Sequence, residues 1–456
     1  MTAAGMKTAG GNAAQADARR INAFRASALG RRPRRAPVPG WAAALLAALL
    51  LLPAAASAQS RSRGRAAAQL RQAPPEDPDE ASTDLTAPTG TLGSALTLER
   101  RSGRNGRGAA NEPSTTTILG ARVGLPEGFA VHTTLHAEPL DPLGLERTRL
   151  PEHAVWVETL NLRWQRGPLV VFGGKIHPRF GAAWFRVPGL YGADLAGDYE
   201  LREKLGGGVE LDLEDVFGLP DALGGHEFRV EGFQADTTDL SGGLFRPRWA
   251  ETVTATDPAT GATSLATLRH RRNSRALGGA DNRPGLAGLT ASLVGTGIDL
   301  PGDAGLGYSA ALSLRQPGED ATGAGRGRRE RGATAALFGE FGLPLGLRLL
   351  PLVEVAAQEA AGGFAGSRAA WLTGAVTLRR GPVAASLVEM RRRVSDQAAG
   401  RAFWRERAVN LTLDLGALSG LAALAPVSLS LDARRAAQGG QRLTDLAAGL
   451  VVSLSF

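Results

Sequence analysis

The chain contains no cysteine, so no disulfide staples its fold. That suits an oxidising envelope compartment, although many cytosolic chains lack cysteine as well. Lysine is almost missing beyond residue 58, where only Lys175 and Lys204 occur. Aromatic residues are few, with 7 Trp and 3 Tyr. No apolar run reaches the length of about 20 residues that a spanning helix needs. No Gly-x-Ser-x-Gly elbow or comparable nucleophile constellation is present, which counts against a hydrolase.

The N-terminus has a clear order. Arg31, Arg32, Arg34 and Arg35 precede an apolar run that begins at Trp41, and Pro53 and then Ala56-Ser57-Ala58 follow it. Basic segment, short apolar segment and small-residue cleavage site together predict a secretory signal over 1–58. This segment holds eight of the 52 basic residues and one of the 44 acidic ones. The formal charge of +8 therefore falls to about +1 once it is removed, and the basic pI is no argument for nucleic-acid binding. Residues 59–88 are rich in Pro, Ala and acid, and read as a flexible leader.

From about residue 89 the hydrophobic period is two. Leu446, Ala448, Leu450, Val452, Leu454 and Phe456 share one face, and small or polar residues share the other. Val427–Arg434 and Val209–Glu214 alternate in the same way, with charge on the second face. Sixteen such segments can be marked between 89 and 456, many near the length of a membrane-crossing strand. The connections between them alternate between short and mostly longer. Pro126-Glu127, Arg166-Gly167 and Gly381-Pro382 are short; 177–203 and 236–283 are the longest.

Unpaired backbone groups are costly in hydrocarbon, so strands that cross a bilayer must close on themselves. The expected fold class is all-β: a transmembrane antiparallel β-barrel of about sixteen strands over 89–456. The inner face of a barrel this wide meets water and tolerates charge. The lumen-facing set expected from the alternation is Arg163, Glu210, Asp212, Glu227, Arg229, Glu231, Arg379, Asp432 and Arg434. Strand 152–165 fits imperfectly, because Glu158 shares a face with Trp156, Leu160 and Leu162; that predicts a bulge, a rim position or a subunit contact. Arg391-Arg392-Arg393 breaks the pattern and is expected at the outer rim. Trp156, Trp164, Tyr308, Trp371, Phe403 and Phe456 are candidate interface anchors.

Leu450, Val452 and Leu454, followed by a terminal Phe456, resemble the assembly signal of bacterial outer-membrane β-barrel proteins. The resemblance implies the outer membrane of a Gram-negative bacterium and recognition by the barrel-assembly machinery. A second likeness covers 169–208. The stretch Leu169-Val-Val-Phe-Gly-Gly-Lys-Ile-His-Pro-Arg-Phe-Gly181, with Pro188-Gly189-Leu190-Tyr191 and Asp198-Tyr199-Glu200-Leu201 after it, is similar to the strand-to-loop passage of phosphate-selective and related substrate-specific porins. It implies a long third loop folded into the pore. By analogy with large porins, a homotrimer is expected. No ladder of Arg and Lys on the inner strands is evident, so phosphate selectivity does not follow.

The loop has the composition of a constriction. Lys175, Arg179 and Arg186 supply cations, and Asp194, Asp198 and Glu200 supply anions. Opposed charges across a narrow passage orient polar solutes and filter ions. The expected function is a passive diffusion channel for small hydrophilic solutes or ions, with outer-membrane lipid and lipopolysaccharide as surroundings. The competing readings are a barrel acting as adhesin or structural anchor and a barrel-embedded hydrolase. No cofactor or metal is implied. His132 and His136, four apart on a strand, are about 13 Å apart and too distant to share an ion.

Overall fold

The structure, a computed structural model, describes residues 89–455 apart from 102–109, 140–152, 193, 242–249, 257–262, 270–278, 319–321, 323–324, 397–399 and 439–440. The expected signal segment, the leader and Phe456 lie outside the described residues.

The described residues form eighteen strands: β1 (Thr89–Arg101), β2 (Ala110–Gly124), β3 (Phe129–Pro139), β4 (His153–Arg166), β5 (Leu169–Ile176), β6 (Lys204–Asp212), β7 (Gly225–Ala235), β8 (Ala250–Thr256), β9 (Thr263–Arg269), β10 (Gly288–Leu300), β11 (Ala304–Arg315), β12 (Glu330–Leu343), β13 (Leu347–Glu359), β14 (Arg368–Arg380), β15 (Val383–Asp396), β16 (Gly400–Asp414), β17 (Val427–Gln438) and β18 (Gln441–Ser455). Sixteen of them close into one antiparallel barrel, sealed where β1 pairs with β18 from Thr91↔Ser455 to Arg100↔Leu446. β8 and β9 form a separate two-stranded sheet inside the segment expected as one long connection, 236–283. Among the described residues no helix is long and apolar enough to cross a membrane.

The alternation resolves into an inside and an outside. Leu96, Leu162, Val230, Leu312, Val353, Leu387, Leu446, Leu450 and Leu454 are exposed on the outer wall, Leu312 to 65% and Leu387 to 59%. Glu210, Arg229, Glu231, Glu354, Asp432, Arg434 and Asp445 are buried on the inner wall. An apolar exterior around a polar interior is stable where the surroundings are hydrocarbon and the lumen holds water.

β4 carries the irregularity that Glu158 foreshadows. Thr134 pairs with Thr159 but Leu135 pairs with Val157, so Glu158 is the extra residue of a bulge. The bulge switches the strand's sides: Leu160 and Leu162 are exposed, while Trp156 is buried at 3%. Trp156 is therefore no interface anchor. Trp371, 6% exposed, also points inward and packs on Tyr199, which corrects a second anchor assignment. The three arginines after Met390 do not break the alternation either. Arg391 and Arg393 are exposed, while Arg392 turns inward to pair with Asp198 at 2.9 Å.

The short connections are built by local chemistry. Leu125-Pro-Glu-Gly and Leu343-Pro-Leu-Gly form the same turn, with Glu127 at φ 61° and Leu345 at φ 65° followed by left-handed Gly128 and Gly346. Two longer turns each contain a short helix, α2 (Leu213–Phe217) and α3 (Leu415–Ser419), following α1 (Ala183–Arg186) in the loop 177–203. Asp212 and Asp414 cap them by accepting from backbone N–H groups, and left-handed Gly218 and Gly420 end them. Asp212, expected as a lumen charge, is thus engaged as a cap at the strand end.

Candidate functional site

The segment 177–203 leaves the wall after β5 and rejoins it at β6. Its root is locked by charge. Lys175 donates to Glu203 at 3.0 Å and to the Leu240 carbonyl at 3.0 Å, and pairs with Asp236 at 2.9 Å. Its side chain has 0% exposure, so it presents no charge to a passing solute. Lys204 pairs with Asp281 at 2.9 Å on the returning side.

From this root the segment reaches strands that are remote around the ring. The backbone N–H of Ala183 donates to Glu354 of β13 at 3.1 Å, as does that of Ala182, and the Tyr199 hydroxyl donates to the same carboxylate. Burial, with the Glu354 charge beside it, pushes the Tyr199 phenol well above its ordinary pKa. Leu190 N–H donates to Asp432 of β17 at 2.9 Å. Gly189 permits this approach: it is left-handed at φ +92°, and a Cβ there would collide with Asp432. Asp194 pairs with Arg434, and Asp198 accepts from Trp371 Nε1 at 3.5 Å and pairs with Arg392.

An apolar cluster fills the space between these anchors. Phe180, Trp184, Tyr191, Tyr199 and Leu201 of the segment pack with Trp371, Val388 and Met390 of the inner wall. Each such side chain contributes about 1.5–3 kcal/mol when fully buried. Arg186 lies over the Phe338 ring at 3.7 Å, so its guanidinium is stacked against the wall.

The expected lumen charges form a ladder on β4, β6 and β7. Arg163 reaches Glu210 at 3.3 Å, and Arg229 Nε donates to Glu210 at 2.6 Å. Arg229 also faces Glu231 at 3.8 Å. Arg179 extends the ladder, pairing with Glu227 at 2.7 Å while its N–H donates to Glu231 at 2.7 Å. Phe172 lies beneath Arg163 and Arg229, 5.4 and 5.2 Å from their guanidinium carbons. Away from this wall, Arg434 holds Asp445 at 2.6 Å, and Asp432 accepts from Asn410 at 3.1 Å and Ser430 at 2.7 Å. Arg379 and Arg348 share Glu340 at 2.9 and 3.0 Å near the short-turn rim.

The six expected constriction residues therefore do not form one facing array. Arg179 sits on the β6–β7 wall, and Asp194 and Asp198 on the β14–β18 side. Arg186 is stacked. Lys175 and Glu200 are buried, the latter beside Arg202 and 4.0 Å from His177. Asp194 and Asp198 keep 32% and 31% of their side chains exposed, and Arg392 keeps 29%. Arg392 is the site residue that the sequence reading misplaced. Strict period-two counting from Leu387 would have found it, because two residues of an arginine triplet must face one way and the third the other. Among the described residues no cluster of His, Asp or Glu is arranged to hold a metal ion.

No protein-family model matches the chain, and no curated protein matches it. Solved structures do. OmpF of Salmonella typhi, solved in complex with daunomycin, aligns over 82% of this chain and 99% of its own, with 10% identity and a TM-score of 0.51. A BenF-like porin from Pseudomonas fluorescens aligns over 81% of this chain and 99% of its own, with 11% identity and a TM-score of 0.44. The outer membrane protein opdK from Pseudomonas aeruginosa aligns over 81% and 99%, with 13% identity and a TM-score of 0.43. At such low identity the likeness to OmpF establishes the fold and nothing finer.

Proposed function

We propose that the chain is a passive diffusion channel in the outer membrane of a Gram-negative bacterium, admitting small hydrophilic solutes or ions. One observation carries this reading: a ring of sixteen strands closes with an apolar outer wall and an inner wall rich in ionisable side chains. Hydrocarbon explains the outside, and a lumen that meets water suits the polar inside. A structural anchor needs no polar lumen.

The segment 177–203 narrows the passage, because it spans between the β5–β6 wall and the inner faces of β13 and β17. Selectivity then rests with groups that keep lumen exposure, Asp194, Asp198 and Arg392 among them, more than with the buried Lys175 and Glu200. Leu450 and Leu454, exposed on the outer wall of β18, belong with Val452 to the sequence signal, closed by Phe456, that is offered to the assembly machinery, and the assembled form is a homotrimer. Purified, folded protein in planar bilayers is expected to give stepwise conductance. A barrel that inserts and gives no steps of open-channel size refutes the proposal. A liposome-swelling series with sugars, amino acids and phosphate then ranks the solutes.

A further inference from the structure

One part of the outer wall is not apolar. On β15 the outward residues Ala385 and Leu387, above the buried Val383, give way to Glu389, Arg391 and Arg393. On β16, Arg407 and Arg405 stand above Val409, and the pairing Glu389↔Arg407↔Arg435 carries the charge onto β17. The flanking strands stay apolar for longer: β14 from Leu378 to Ala370, and β18 from Leu454 to Leu446. A crossing strand has about 9–11 residues, hence about five outward positions. On β15 the charge thus begins within the depth of the belt, on the side of the long connections.

The cluster is organised. Glu389 accepts from Arg391 at 2.8 Å, from Arg405 at 2.7 Å and from Arg407 at 3.0 Å. One carboxylate offsets one guanidinium, so the three arginines keep a positive excess and stay gathered at one point. Arg405 Nε is buried with no hydrogen-bond partner among the described residues. Beside the cluster runs an apolar groove of about 390 Å³, lined by Leu337, Val353, Val376 and Leu387 and reaching Glu389. Its floor is open at Gly374, where a Cβ would meet nothing within 4 Å.

Guanidinium forks match phosphate oxygens, and an apolar trough matches an acyl chain. We propose that this face binds one lipopolysaccharide molecule, its lipid phosphates on Arg391, Arg405 and Arg407 and an acyl chain in the groove over Gly374. The proposal rests on the outer-membrane reading and adds a site to it. Charge complementarity selects this occupant over a second copy of the chain. Among the described side chains of the barrel strands the outward carboxylates are Glu389 itself and Glu359 at the rim, so the described wall of a second copy offers no acidic patch, and two copies of this face repel.

The test is native mass spectrometry of the purified, folded full chain titrated with bisphosphorylated lipid A, with dephosphorylated lipid A and with phosphatidylethanolamine. The unmodified protein should bind the bisphosphorylated form about tenfold or more tightly than either other lipid, as expected when charge-assisted bonds are added. The triple variant R391Q/R405Q/R407Q should lose that preference. Gly374→Phe, which builds into open space, should weaken both lipid A forms and leave the preference intact. Equal affinity for the three lipids, or an unchanged preference in the triple variant, overturns the proposal. So does an oligomer that the triple variant dissolves while lipid A binding stays. Conductance of the same samples separates the two readings: the variants should conduct as the parent does, and a parent that binds lipid A but never conducts sinks the channel and leaves the lipid site standing.

Discussion

The Tyr199 hydroxyl donates to the Glu354 carboxylate across 155 residues of sequence, tying the segment 177–203 to the inner face of β13. Glu354 also takes the N–H groups of Ala182 and Ala183, so one buried side chain holds the segment at three points.

Removing that carboxylate should release the segment. Glu354→Ala leaves buried N–H donors unsatisfied, at about 1–3 kcal/mol each. Single-channel conductance should rise and become noisy, and protease should cut within 177–203. Parental conductance and full protease resistance would show that the anchor is dispensable.

Alkaline pH should loosen the same anchor. The Tyr199 phenol has a raised pKa in the folded state, so its contribution is complete below the unfolded value of about 10 and is lost as pH climbs through the folded value. Stability of the parent should therefore fall more steeply above about pH 10 than that of Tyr199→Phe. Parallel curves for the two proteins in urea titrations at rising pH would rule out this role.

Lys175→Met should damage folding rather than selectivity. It removes the cation that Glu203 and Asp236 share, and breaking a buried pair costs about 3–5 kcal/mol. The yield of heat-modifiable, folded barrel on gels should drop. Whatever folds should show the parental reversal potential in a salt gradient; a shift there would return Lys175 to the ion path.

Asp194→Asn with Asp198→Asn should move the reversal potential toward anions, because two partly exposed carboxylates disappear beside Arg434 and Arg392. The effect should shrink as salt rises, since screening shortens the reach of exposed charge. An unmoved potential at low salt would place the selectivity elsewhere in the lumen.

Leu450→Arg tests the belt. Leu450 is exposed on the outer wall of β18, and an arginine facing lipid near the bilayer midplane costs about 2–4 kcal/mol. Assembly into lipid vesicles should fall sharply, whereas Ala448→Leu on the same face should be tolerated. Normal assembly of Leu450→Arg would mean that this face does not meet lipid.

The strands, their order and their two faces are legible in the amino-acid pattern. Alternation is a local property, and the bilayer punishes any lapse on the outer face, so Leu446, Leu450 and Leu454 mark their side unaided. Turn chemistry is local too, as the two Leu-Pro-x-Gly turns show. The segment's charges are a different case. Lys175, Asp194, Asp198 and Glu200 are recognisable as ionisable residues at a strand-to-loop passage, but their partners lie on Asp236, Arg434, Arg392 and Arg202. Most of those are set by which strands the closed ring places near the segment, and no local period encodes that. The side switch at Glu158 and the groove over Gly374 have the same origin. Each depends on register between neighbouring strands, which only the closed sheet decides.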